Sequence, residues 1–326
     1  MSEFDWIAWL KNEARQKLTA TNTVLVGIGD DAAVCEVPDG MQVVISTDTL
    51  VSGVHFPADT APTDIGYKSL AVNISDLAAM GAAPCWFSLA LTVPEMDWPW
   101  LTQFSDGMLA LAAEHQMQLI GGDTTQGPLA ITITVQGLVP KGQARLRSLA
   151  NVGDDIWLTG SIGDAAAALK QWQNKQLQSM KLRHRLDRPT ARVSVGVAVR
   201  EYVNAMLDVS DGLAQDLGHI LQASGVGAEI ELGRLPVSSS LLDFYPDDLE
   251  RWALQLSGGD DYELCFTAPA SNAFAIEMAL AACGVTGSVI GHITESIGLR
   301  CLTPEGEQFA FTQVGYQHFE SSKHVH

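Results

Sequence analysis

Basic residues are scarce in this chain. Its 19 lysines and arginines stand against 38 aspartates and glutamates, a formal charge of −19 over 326 residues. So little positive charge excludes nonspecific binding to nucleic acid or to an anionic membrane, since both need a basic face. Cysteine is sparse and unpatterned: Cys35, Cys85, Cys265, Cys283 and Cys301 are odd in number and include no CxxC pair. That argues against a disulfide framework or a zinc site and fits a reducing cytoplasm. No run of roughly 18 apolar residues occurs, so no membrane span is expected. Met1-Ser2-Glu3-Phe4-Asp5 lacks the basic and apolar regions of a secretory signal. The chain contains no Walker-type Gly-x-x-x-x-Gly-Lys-[Ser/Thr] loop and no short-period repeat. The closing Lys323-His324-Val325-His326 has too few histidines for a metal site.

What is present is an apolar fraction of 47%, ordinary for a chain with a sizeable core, and a recurrent acidic pattern. Six clusters set carboxylates beside glycine or hydroxyl residues: Gly27-Ile28-Gly29-Asp30-Asp31, Ser46-Thr47-Asp48-Thr49, Asn73-Ile74-Ser75-Asp76, Gly121-Gly122-Asp123-Thr124-Thr125, Asp208-Val209-Ser210-Asp211-Gly212 and Ser257-Gly258-Gly259-Asp260-Asp261-Tyr262-Glu263. Unpaired carboxylates are costly to bury, and several in one place repel unless a cation sits among them. Hard divalent cations take such oxygen ligands, and Mg²⁺ typically joins one or two carboxylates to substrate phosphates. The pattern points to a nucleotide held through metal ions.

Hydrophobic spacing predicts two mixed α/β halves. The first has an opening amphipathic helix, strands at 24–29, 41–48, 88–93, 118–122 and 129–139, and helices at 64–80 and 100–115. The second has strands at 156–160, 205–209, 228–232 and 289–293, with helices at 163–172, 192–202, 213–223 and 274–283. The boundary falls near 140–153, giving domains 1–140 and 150–326. Most acidic clusters then sit at strand ends. Ser46 and Asp48 alternate on a strand and share a face, with Thr47 able to contribute through a bend or its carbonyl. Asp76 interrupts an otherwise apolar helix and is expected to be exposed or coordinated. The Asp208–Asp211 turn opens a helix whose N-terminal amides suit a phosphate. An ordinary capping aspartate explains one of its polar residues but not three. His55 and Arg147 are candidate contacts for an anionic ligand, with structural or surface roles as their alternatives. Arg183, His184, Arg185 and Arg188 read as a solvated helix face.

In order along nearly the whole chain, these strings resemble the thiamine-monophosphate kinase family, extended by Lys68-Ser69-Leu70-Ala71-Val72 before Asn73 and by His55-Phe56. The wider superfamily, with aminoimidazole ribonucleotide synthetase, selenophosphate synthetase and a hydrogenase maturation protein, shares only part of them. The resemblance implies a two-domain PurM-like α/β architecture and a cytoplasmic homodimer whose N-terminal sheets pair. It implies ATP-dependent phosphorylation of thiamine monophosphate to thiamine diphosphate with several Mg²⁺ ions, and an anionic acceptor that needs only alignment and charge neutralisation leads us to expect direct in-line transfer. By position it assigns Asp30, Ser46, Thr47, Asp48, Asp76, Asp123, Asp208 and Asp211 to metal, and Gly122, Asp123, Arg147 and Ser210 to the nucleotide. His55, Glu263 and Tyr316 fall to the substrate, whose thiazolium cation suits acidic or aromatic surroundings. No general base is expected, because the accepting phosphate oxygen is already anionic. The alternatives are another ATP-using member of the superfamily and a non-catalytic nucleotide- or divalent-ion-binding protein.

Overall fold

The structure is a computed structural model and describes residues 2–19 and 23–310. In chain order its elements are α1 (Glu3–Lys17), β1 (Val24–Val26), β2 (Val34–Cys35), β3 (Met41–Val51), α2 (Pro62–Ala79), β4 (Ala83–Val93), α3 (Trp98–Glu114), β5 (Gln118–Gln126) and β6 (Ala130–Pro140). There follow β7 (Asp155–Thr159), α4 (Asp164–Gln173), α5 (Met180–Asp187), α6 (Val193–Val199), β8 (Met206–Val209), α7 (Leu213–Ser224) and β9 (Gly227–Glu231). The last are α8 (Ser239–Phe244), α9 (Asp248–Ser257), β10 (Glu263–Ala268), α10 (Ala273–Ala282), β11 (Gly287–Thr294) and β12 (Gly298–Leu302). Two units emerge. One comprises the chain to Arg145 with Asp187–Tyr202 and Met278–Gly284; the other comprises Leu146–Leu186, Val203–Glu277 and the chain from Val285. Among the described residues no helix is long and apolar enough to cross a membrane.

In the first unit, four strands lie in the order β3-β6-β4-β5, antiparallel except for β4 with β5. Alternation along β6 buries Ile131, Ile133 and Val135 and leaves Thr132, Thr134 and Gln136 half-buried on the other face. α2 lies on the apolar side, burying Leu70, Ile74 and Leu77. α2 and α3 approach closely because each offers a glycine at the crossing. A Cβ on Gly66 would stand 1.9 Å from the Phe104 carbonyl oxygen, and one on Gly107 would stand 1.8 Å from that of Thr63. α1 begins with a reciprocal cap: Ser2 Oγ accepts the Asp5 N–H, and the Asp5 carboxylate accepts the Ser2 N–H at 2.8 Å.

The second unit has a six-stranded sheet ordered β12-β9-β11-β7-β10-β8, antiparallel apart from β12 with β9. Ile156, Leu158, Leu207, Leu217, Ile220, Ile230 and Ile290 share its core. β10 lies inside this sheet, between β7 and β8, and all six of its residues are buried. The hydrophobic spacing did not mark it, because a short strand covered on both faces shows no alternation. α5, α8, α9 and β12 also went unmarked. β4 begins at Ala83, earlier than expected, since Gly81 in the left-handed region ends α2 and Pro84 is accommodated within the strand.

Candidate active site

In the first unit, β3 and α2 bring three of the candidate residues into register. Ser46 Oγ–H donates to Asp76 Oδ2 at 2.5 Å, and the Asp48 N–H donates to Asn73 Oδ1 at 2.9 Å. Asn73 is fully buried and its Nδ2–H donates to the Ser69 carbonyl at 2.9 Å, so α2 fixes the amide that holds β3. Asp76 is half-buried and Asp48 exposed. Thr47 points the other way, its Oγ1–H donating to Thr134 Oγ1 at 2.9 Å. A part for Thr47 beside Ser46 and Asp48 therefore falls to its backbone. Asp123 follows the same logic. Register runs Thr49–Thr132–Ala90–Asp123 across the four strands, which puts Asp123 in the row and on the face of Thr49 rather than of Ser46. The fold thus brings Ser46, Asp48 and Asp76 together and leaves Asp123 on the opposite edge strand. Gly122 sits where a Cβ would be 1.9 Å from the Leu89 carbonyl, so no larger residue fits.

Asp30 is exposed on the turn after β1, where its Oδ1 accepts the Asp31 N–H at 2.9 Å. His55 lies half-buried in the turn after β3, and the Val51 N–H donates to its Nδ1 at 2.9 Å. The neutral ring therefore carries its proton on Nε2 and offers a donor there. The basic run departs from expectation. Arg188 is not simply solvated, because its Nε–H donates to Asp64 at 2.5 Å and its guanidinium stands 5.2 Å from the Tyr67 ring centroid.

In the second unit, Asp208 is the last residue but one of β8 and is 4% exposed, while Ser210 and Asp211 are half-buried on the turn into α7. The turn that leads into α7 is held from within the chain. Asp216 Oδ2 accepts the N–H groups of Ser210, Asp211 and Gly212 at 3.0, 3.0 and 3.1 Å, so an internal carboxylate occupies the amides of the turn that precedes α7. Burial pushes the Asp216 carboxyl up to about 7, against the three amide donors that favour its anion. A detectable signal existed: Asp216 interrupts the apolar stripe of Leu213, Leu217 and Ile220. The loop 257–262 docks on the same turn, the Asp260 N–H donating to the Ser210 carbonyl and the Tyr262 N–H to that of Val209, both at 2.8 Å. Asp260 and Tyr262 both adopt positive φ, 69° and 54°, so this contact carries backbone strain.

Glu263 is 0% exposed. Thr159 Oγ1–H donates to its Oε2 at 2.6 Å, and Arg185 Nη2–H donates to its Oε1 at 2.9 Å. Both carboxylate oxygens of Glu263 thus have partners within the protein. Arg185, read in the sequence as part of a solvated face, is instead the cation of a buried acidic group. Asp164 lies 3.9 Å from its Nε, and Asp261 accepts the Gly163 N–H with both oxygens at 2.9 and 3.0 Å. Burial raises the Asp261 carboxyl well above the usual range and raises that of Asp164. Arg147 is exposed, and its carbonyl accepts from Ser224 Oγ–H at 3.0 Å. Its neighbour Leu146 bridges Ala205, at the end of β8 remote from Asp208. Tyr316 lies outside the described residues. Among the described residues no group of three or more His, Cys, Asp or Glu stands close enough to hold a metal by itself.

Two family models match in succession: AIR synthase related protein, N-terminal domain, over residues 29–139, and its C-terminal domain over 151–301. The thiamine-monophosphate kinase of Escherichia coli strain K12 is 48% identical over 302 residues, covering 91% of this chain and 92% of that protein. A crystal structure of thiamine-monophosphate kinase from Stenotrophomonas maltophilia superposes with a TM-score of 0.86 at 44% identity, over 92% of this chain and 96% of the other. The solved structure of AaThiL complexed with AMPPCP and TMP gives a TM-score of 0.75 at 28% identity, over 97% of each chain.

Proposed function

The chain belongs to the thiamine-monophosphate kinase family, with the two-domain PurM-like α/β fold, and we propose that oxygen-bound metal ions and direct transfer carry its reaction. It is a thiamine-phosphate kinase: the γ-phosphoryl group of ATP passes to thiamine monophosphate, giving thiamine diphosphate and ADP. The observation that carries this is near-half identity over nine-tenths of both chains.

Mg²⁺ fits the donor chemistry. The candidate ligands Asp30, Ser46, Thr47, Asp48, Asp76 and Asp123 in the first unit, and Asp208 and Asp211 in the second, offer carboxylate, hydroxyl and carbonyl oxygens, with no thiolate or imidazole among them. A Mg²⁺ site borrowing phosphate oxygens and water needs only one or two carboxylates, so a protein-only cage is not required. When bound, the ions neutralise charge between two anions that otherwise repel. Ser46 and Asp76 hold each other in one orientation, which keeps an oxygen pair fixed before any ligand arrives. Gly122, Asp123, Arg147 and Ser210 are the proposed nucleotide contacts, Gly122 through its backbone. His55 offers its Nε2–H to an anionic substrate oxygen, and Glu263 acts through Arg185 and Thr159. Tyr316 is retained as an aromatic neighbour of the thiazolium on the resemblance alone.

The accepting phosphate oxygen attacks the γ-phosphorus in line, the bond to the β-bridging oxygen breaks, and ADP leaves. Two copies form a dimer through the open face of the first unit's sheet. Support comes from that face, where Ile45 is 64% exposed beside a ladder of Thr47–Thr134 and Thr49–Thr132 hydrogen bonds. Five free thiols accord with a reducing cytoplasm as its location. A coupled assay of ADP release tests the function: thiamine monophosphate supports turnover and thiamine does not. Equal turnover with both, or none with either, overturns it. Chiral γ-phosphate transferred in the same reaction emerges inverted; retention defeats the direct step.

A further inference from the structure

We propose that Asp216 is a positioning residue for the phosphoryl transfer: it serves as a built-in anion that fills the amide nest of the turn just before α7 and sets the turn carrying Asp208, Ser210 and Asp211. The inference rests on the reading of those three residues as ligand-binding. Asp216 stands in the first turn of α7, is 3% exposed, and accepts three consecutive backbone N–H groups on a single oxygen. Three successive turn amides converging on one point form a nest of the kind by which proteins hold anions. Here the position is taken by a side chain four to six residues further along the chain.

Two consequences follow from the geometry. Nucleotide phosphate is excluded from these amides, so Ser210 and Asp211 meet ligands through their side chains. The turn is also gripped from both sides. Asp216 holds its N–H groups, while the Asp260 and Tyr262 N–H groups take the carbonyls of Ser210 and Val209. With donors and acceptors both engaged, the Asp211 side chain keeps a defined direction, and Gln215 Nε2–H donating to Asp211 Oδ2 at 3.0 Å completes the arrangement. Removing Asp216 frees three amides, one of them on buried Gly212, and lets the turn relax.

The test compares full-length Asp216→Ala, Asp216→Asn and Asp211→Asn. In Asp216→Ala, hydrogen exchange at the amides of 210–212 accelerates at least about tenfold, and the apparent affinity for MgATP measured by calorimetry falls by a similar factor. The kcat for ADP release falls more than the KM for thiamine monophosphate rises, since the acceptor site is not what moved. Asp216→Asn keeps one acceptor oxygen and lies between wild type and alanine on every readout; it carries the same measurements if the alanine protein does not fold. Inorganic phosphate slows exchange at 210–212 in Asp216→Ala and leaves the wild type unaffected. Faster exchange with unchanged MgATP affinity and kcat overturns the positioning role. Phosphate protection of these amides in the wild type overturns the built-in anion. Unchanged turnover in Asp211→Asn, by contrast, sinks the underlying reading of the turn, whatever the Asp216 variants do.

Discussion

Asp76 shows how one side chain can be read twice. In the sequence it is an acid inside an apolar helix. In the structure it accepts from Ser46 across 30 residues, at 2.5 Å. Asp76→Asn keeps the shape and removes the charge, so turnover falls at least about tenfold, equivalent to about 1.4 kcal/mol, while thermal unfolding moves little. Steady-state ADP release and a melting curve check this together; wild-type turnover removes Asp76 from the metal set. Asp261 supports a prediction about pH. Burial raises its folded pKa above the unfolded value near about 4, so the folded state holds a proton that the unfolded chain has released. Its contribution is intact below that unfolded value and is lost as pH rises toward the folded one. Asp261→Asn mimics the neutral acid and does not titrate, so its stability relative to wild type grows with pH. Urea midpoints at pH 5 and pH 8 measure the effect, and an unchanged difference between the two proteins excludes it.

At the scale of elements, the crossing of α2 and α3 decides how firmly Asn73 and Asp76 are presented to β3. Alanine at Gly66 raises intrinsic helix propensity by about 1 kcal/mol. Its Cβ, however, meets backbone carbonyl oxygen at 1.9 Å, which no rotamer change relieves. The collision wins: Gly66→Ala destabilises the protein by about 2 kcal/mol or more. A denaturant midpoint equal to that of wild type would mean the two helices can separate at little cost. Most of the first unit was legible at this scale, because its strands alternate and its helices carry clear stops. Much of the second was not. β10 is a short apolar stretch following an acidic string, and only its place between β7 and β8 makes it a central strand. Arg185 looked solvated because a basic run has no visible partner; Glu263 lies 78 residues further along.

For the whole molecule, the open matter is assembly. The outer face of the β3-β6-β4-β5 sheet carries small polar residues and the exposed Ile45, a surface suited to a second copy of itself. Ile45→Lys places like charges opposite each other in such a pairing. Sedimentation then shifts from dimer to monomer while the circular dichroism spectrum is retained. A wild type that sediments as a monomer at micromolar concentration refutes the pairing.

Residue order alone carried the expectation of phosphate and metal chemistry that the proposed function takes up. Oxygen donors in six separate strings, a deficit of cations and the absence of a lysine-bearing phosphate loop point to phosphates held through hard metal ions. It also determined most strands and helices, because periodicity is local. Only the folded chain decided partners: that Asp216 fills the amides of the turn before α7, that Glu263 is buried against Arg185, and that Asp123 shares a face with Thr49 rather than Ser46. A local pattern tells a side chain which way to face, but burial and pairing are set by segments brought together from elsewhere.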